Sequence, residues 1–317
     1  MIRISWSKSW ASDLMNESDI IVSYIERKGW RSTRVNDGWG IRQAEGGTEF
    51  YLSFTPSWIC LQAPLDPYLD SAGWDDRQWV HLYCDLLRRN EEMFMGKFCR
   101  DQAGQLTLQV ELPNSGSIHR IDYALDALTR YLKLYRSELE NSEARQTPAA
   151  VDRTSKDLYF DAPPGIPHEV IAYYIRAVEP HGWGARSKPK GITWLLGYKG
   201  QRMFDVYLTV TKSWSYFHVP SLLETPAYPK EENPAIQRAF LEYLLQINDA
   251  WYLAKTGMNE AHQVLAMLEI PTQELDFEMF RLVTRLLSTY LDLYAREIQI
   301  MSLLPSDPKL MEKIVAV

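Results

Sequence analysis

The side chains best able to do chemistry in this chain are its histidines, its cysteines and a few paired carboxylates. The six histidines (His81, His119, His168, His181, His218 and His262) show no i, i+4 pair and no Cys/His cluster of the kind that builds a zinc site. No metal and no cofactor is therefore expected. Ser5-Trp6-Ser7-Lys8 reads as S-x-x-K, but the partner motifs of an acylating serine are missing. Asp75-Asp76 and Glu91-Glu92 are adjacent carboxylates, which do not face each other on a helix. Capping and solvation account for them. Glycine-rich phosphate loops, the G-x-S-x-G elbow and H-E-x-x-H are all missing from the sequence. With no acid–base or nucleophile set in view, the chain is expected not to be an enzyme.

Composition narrows the classes further. The chain has 317 residues with 46% hydrophobic and 24% charged side chains, a globular balance suited to about two domains. A net charge of −7 argues against general affinity for nucleic acid. No run approaches the ~20 apolar residues of a membrane span, so no membrane insertion is expected. The first residues, MIRISWSKSWASDLMNESD, lack the apolar core of a secretory signal. Three cysteines without a C-x-x-C fit a reducing cytoplasm. The surplus is aromatic, with 11 Trp and 18 Tyr.

These residues are arranged in a repeat. Phe54–Pro64 (FTPSWICLQAP) matches Val210–Pro220 (VTKSWSYFHVP), and LLRRNEEMFMGKF from Leu86 matches LLQINDAWYLAKT from Leu244. LTLQVELP from Leu106 matches VLAMLEIP from Val264, and LTRYLKLYRSE from Leu128 matches LSTYLDLYARE from Leu287. The four blocks are colinear, with 16 identities in 43 aligned positions and offsets of 156 to 159. A period near 158 is far beyond the roughly 20–50 residues of a solenoid, so each copy is a domain. The first copy is expected at 1–143, a polar linker at 144–157 and the second copy at 158–317. The cysteines align with Tyr216, Glu242 and Gly257, so no thiol chemistry is shared. Asn90 and Asn248 recur near the end of the second helix, where they are expected as helix caps. Lys97 and Lys255 open the next strand, where they are expected as edge-strand charges.

Stripes of apolar residues place the elements that carry these positions. Ser18–Lys28 and the segment from Ile166 to Val178 read as helices stopped by Gly29 and Gly182. Alternating and aromatic runs follow, then helices over Asp76–Phe94 and Pro234–Tyr252, then two strands joined by a turn at Asp101–Gly104. The last helix carries Leu125, Leu128, Leu132 and Tyr135, with Leu282, Leu286, Tyr290 and Leu293 as the expected buried stripe of the second copy. The expected fold class is α+β: two tandem copies of an α-β-β-β-α-β-β-α domain with an antiparallel sheet.

The segment LLRRNEEMFMGKFCRDQAGQLTLQVELP, followed by an amphipathic helix, resembles the type III secretion chaperone-like fold, including its YbjN-like branch. In that family a helix ending in L-x3-N leads to a KF strand, a D-x-x-G turn and a strand closing on E-[LI]-P. The second copy departs from it, with Lys255-Thr256-Gly257-Met258 where the KF strand and the turn are expected. The resemblance implies an acidic module that holds a partner protein in extended form, and its tandem copy implies an intramolecular pseudo-dimer. The expected function is a non-catalytic protein-binding chaperone or adaptor whose protein partner the sequence does not identify. Partner contacts are expected from Trp6, Trp10, Trp58 and Trp214, because tryptophan so often anchors interfaces. The alternative is a small-molecule- or nucleotide-binding regulatory protein using the cleft between the copies.

Overall fold

The computed structural model describes residues 9–43, 49–66, 69, 71, 73–101, 103–114, 118–140, 164–223 and 233–303. The expected linker at 144–157 lies outside them. The architecture is α+β, with two six-stranded antiparallel sheets and, among the described residues, six α-helices. The first copy runs α1 (Ser9–Arg27), β1 (Trp30–Val35), β2 (Gly38–Gln43), β3 (Glu49–Phe54), β4 (Trp58–Pro64), α2 (Asp76–Glu92), β5 (Gly96–Arg100), β6 (Leu106–Pro113) and α3 (Arg120–Glu140). The second runs α4 (His168–Val178), β7 (Trp183–Ala185), β8 (Thr193–Lys199), β9 (Met203–Val210), β10 (Trp214–Val219), α5 (Pro234–Ala250), β11 (Ala254–Met258), β12 (Val264–Pro271) and α6 (Phe277–Leu303). The sheets are ordered β1-β2-β3-β4-β6-β5 and β11-β12-β10-β9-β8-β7. The same order is thus read from opposite ends.

Each copy has four strands before its second helix, where three are expected from sequence. The extra strand is β1, WRSTRV, which is almost wholly exposed and so shows no apolar alternation. It is fixed instead by the hairpin turn Asn36-Asp37, in which Asn36 adopts φ 43°. Its counterpart β7 is only three residues long.

The repeated strings have local reasons. In T-x-S-W, the Trp58 amide donates to Thr55 Oγ1 at 3.0 Å and the Trp214 amide to Thr211 Oγ1 at 2.8 Å, so the threonine closes the β3–β4 and β9–β10 turns. Asp75 and Gln78 form a capping box that starts α2, and Asn233 caps α5 through the Ala235 amide. The turn after β5 is kept in the second copy, but as Asn259–Gln263 and not at Lys255–Met258. Gln105 N donates to Asp101 Oδ1 at 2.8 Å and Gln263 N to Asn259 Oδ1 at 2.9 Å. Gly104 at φ 85° is replaced there by His262 at φ 58°, so a side-chain-bearing residue takes the left-handed position.

In the last helix of the second copy the expected stripe is corrected. Tyr290 is buried as expected, Leu282 and Leu286 are half-buried and Leu293 is 63% exposed, while the apolar side that is buried also carries Met279, Phe280, Val283, Leu287, Leu291, Ala295 and Ile298. The helix carries apolar residues on two sides, and periodicity alone does not say which side meets the sheet. Phe280 does, at 5.7 Å from the Phe217 ring.

The chain forms two compact units, Met1–Asp70 with Met95–Arg145, and Ser71–Phe94 with Gln146–Val317. In the first unit α3 packs on β4, β5 and β6, with Tyr135 edge-on to Phe98 at 5.5 Å. The second unit contains α2, which comes from the first copy yet packs on α5 and β11 of the second. No helix among the described residues is long and apolar enough to cross a membrane.

Candidate functional site

The polar residues that recur in both copies gather at the edge strands. On the first sheet Lys97 of β5 lies opposite Gln109 of β6, with Glu111 two residues along on the same face. Lys97 Nζ is 2.7 Å from Glu111 Oε2, and both side chains are almost fully buried. Gln109 Nε2 donates to Glu111 Oε1 at 2.8 Å and reaches Cys60 Sγ at 3.0 Å. Burial opposes the charge on Lys97, but the Glu111 carboxylate outweighs it and holds the ammonium above its ordinary range. A lysine held charged in this way is the opposite of a nucleophilic lysine, which must lose its proton near neutral pH.

The second sheet repeats the pair with different neighbours. Lys255 Nζ is 3.1 Å from Glu269 Oε2, again with both side chains buried. Met267 replaces Gln109, and Lys255 donates instead to the carbonyl of Met93, the residue that ends α2. The lysine charge thus sits where the helix leaves its last carbonyls unpaired. Both lysines are therefore buried ion-pair partners, and the expectation of exposed edge charges is corrected.

Asn90 and Asn248 are also not helix caps. Both are fully buried, and each donates from Nδ2 to the same carbonyl, Thr256 O, at 3.2 Å. Asn248 Oδ1 accepts from Thr256 N at 2.5 Å and from Thr256 Oγ1 at 3.0 Å. Thr256 sits on the edge strand β11 with its amide and carbonyl directed away from β12. Two helices from unlike copies supply the partners that a further strand would give. The arrangement satisfies backbone groups and fixes register. It presents no acid–base pair to a substrate.

The expected partner-binding tryptophans divide. Trp58 is buried at 8% exposure, so its ring offers little to a partner. Trp214 is half-buried and stacked on Phe94 at 5.2 Å, and Tyr216 meets the same ring at 5.4 Å. Trp6 lies outside the described residues, and Trp10 lies in α1 with its side chain outside them. Sequence reasoning missed the outward face of the second sheet, where Met203 and Tyr207 of β9 are 53% and 39% exposed. Leu195 of β8 lies directly across from Tyr207. Strict alternation along MFDVYLTV, in which Phe204, Val206, Leu208 and Val210 are buried, was the available signal.

Among the described residues no group of three or more His, Cys, Asp or Glu is placed to hold a metal ion. None of the three cysteines is in a disulfide. Cys60 lies across from Glu111 and Cys99 across from Thr107, four residues apart along β6. That is about 13 Å at strand spacing, well beyond disulfide reach. In comparisons with known proteins, no protein-family model matches the chain and no curated protein is similar to it.

Proposed function

We propose that the chain is a non-catalytic, cytoplasmic protein-binding chaperone or adaptor, built from two type III secretion chaperone-like copies that act as a pseudo-dimer. The observation that carries this reading is the outward face of β8 and β9. Leu195, Tyr207 and Met203 line a strip on the side opposite the helix-packed core, crossed between Tyr207 and Met203 by the exposed Arg186–Asp205 ion pair. Tyrosine and methionine are enriched at protein interfaces, tyrosine because its ring buries a large surface at little entropic cost and methionine because its flexible side chain adapts to the partner. An extended or helical apolar segment of a partner protein would lie along this strip. The shared ionisable groups support the same reading, since both Lys–Glu pairs are engaged inside the fold.

A photo-crosslinking residue placed at Tyr207 of the full chain tests it in lysate of the native host. The expected result is one dominant crosslinked protein, lost when Met203 is changed to Ser, with no such adduct from a crosslinker at Tyr173. Equal, diffuse crosslinking from both positions would remove the strip as a partner site.

A further inference from the structure

The packing of α2 on β11 depends on a residue that differs between the copies. Gly257 of β11 occupies the position that Cys99 occupies on β5, at the repeat offset of 158. Gly257 has no left-handed backbone angle to explain its choice. Space explains it. A Cβ there would lie 2.6 Å from Met267 Cε, 3.1 Å from Leu87 O and 3.2 Å from Glu91 N. The methionine terminus can swing aside. The other two atoms are backbone of α2, one turn apart, and can yield only if the helix retreats.

Three further contacts need that close approach. Asn90 Nδ2 reaches Thr256 O at 3.2 Å, near the limit of a hydrogen bond. Lys255 Nζ reaches the Met93 carbonyl, and Phe94 stacks on Trp214. Asn90 lies in α2, and Met93 and Phe94 follow directly on its end, so a retreat of the helix by a few tenths of an ångström would lengthen the first contact and pull on the other two.

We propose that Gly257 is the specificity determinant that makes the edge strand of the second copy the acceptor for the first-copy helix. The partner it fits is a helix that brings a backbone carbonyl and amide one turn apart against the strand, with an asparagine between them and an aromatic residue just past the helix end. The first-copy strand, with Cys99 at the equivalent place, could not admit a helix backbone at this distance. The difference fixes unlike copies as partners and disfavours exchange between like ones.

Hydrogen exchange by mass spectrometry on the full chain tests this with Gly257→Ala, Gly257→Cys and Gly257→Ala/Met267→Ala. The expected result is exchange faster by roughly tenfold or more over Leu82–Glu92, with β8–β10 unchanged, as overpacking at a rigid contact predicts. Gly257→Cys should exceed Gly257→Ala, and Met267→Ala should give no rescue. Rescue by Met267→Ala would assign the tightness to a flexible side chain and overturn the proposal. So would unchanged protection of α2, or a uniform loss of protection across the second unit.

Discussion

The strand pairs β5–β6 and β11–β12 start from the same plan and end as different surroundings. Each carries a lysine and, fourteen residues later, a glutamate, and each buries the resulting ion pair. In the first copy Gln109 ties the carboxylate to Cys60 within the sheet. In the second, Met267 takes the place of Gln109, and Lys255 reaches across to the end of α2. Duplication therefore kept the costly element, the buried charge pair, and varied what it is connected to. A buried pair is poor evidence for stability in itself, because desolvation opposes it. Its retention in both copies is better understood as register: a lysine that can satisfy its charge in one place only.

The largest expected effect breaks that comparison directly. Glu111→Ala or Glu269→Ala should each lower stability by about 3–5 kcal/mol, since a buried ammonium loses its carboxylate. Replacing both members, as Lys255→Met with Glu269→Leu, should cost far less. Denaturant melts of single and double variants read this out, and equal losses would show that the pair does not act as a unit. Next comes the repeated tryptophan. Trp58→Ala should cost about 3–5 kcal/mol, whereas Trp214→Ala, at a half-buried site, should cost roughly half as much. Equal melting shifts would mean that packing does not distinguish the two positions.

A smaller effect has the opposite sign. His262→Gly should stabilise the chain by about 1 kcal/mol, because it restores at the second turn the residue that Gly104 supplies at the first. Destabilisation would show that the His262 side chain outweighs its backbone strain. The last effect is silent at neutral pH. Lys97 is held above its ordinary value of 10.5 by Glu111 despite burial, so its stabilisation is complete below about pH 10.5 and is lost as pH rises through the folded value. Tyr198 is pushed up to about 12, first by burial and then by its hydrogen bond to Asp292, and acts in the same direction above pH 10. Stability measured from pH 8 to 12 should fall in alkali, and Lys97→Met with Tyr198→Phe should flatten the curve. An unchanged slope would remove both groups from the account.

Much of the fold was legible where a residue acts on its own neighbours. T-x-S-W, the Asp75 cap and the turn at Asp101–Gly104 each bond within four residues. β1 was not legible, because an exposed edge strand has no buried side to impose alternation. Leu293 misled because α6 is apolar on two sides. The Lys–Glu pairs had a signal, the same residue types at the same separation in both copies, but reading it required expecting a charge to be buried. The destination of α2 had no signal in the helix itself. The one difference that bears on it, Gly257 against Cys99, lies on the receiving strand and takes its meaning only from the packing.

That destination sets a timetable for synthesis. Chains emerge from the ribosome at roughly 5–20 residues per second, so α2 is complete some 10–30 s before β11 exists to receive it. Throughout that interval Leu82, Tyr83, Leu86 and Leu87, buried in the finished protein, have no native surface to cover them. Nascent first copies on neighbouring ribosomes would meet each other in this state.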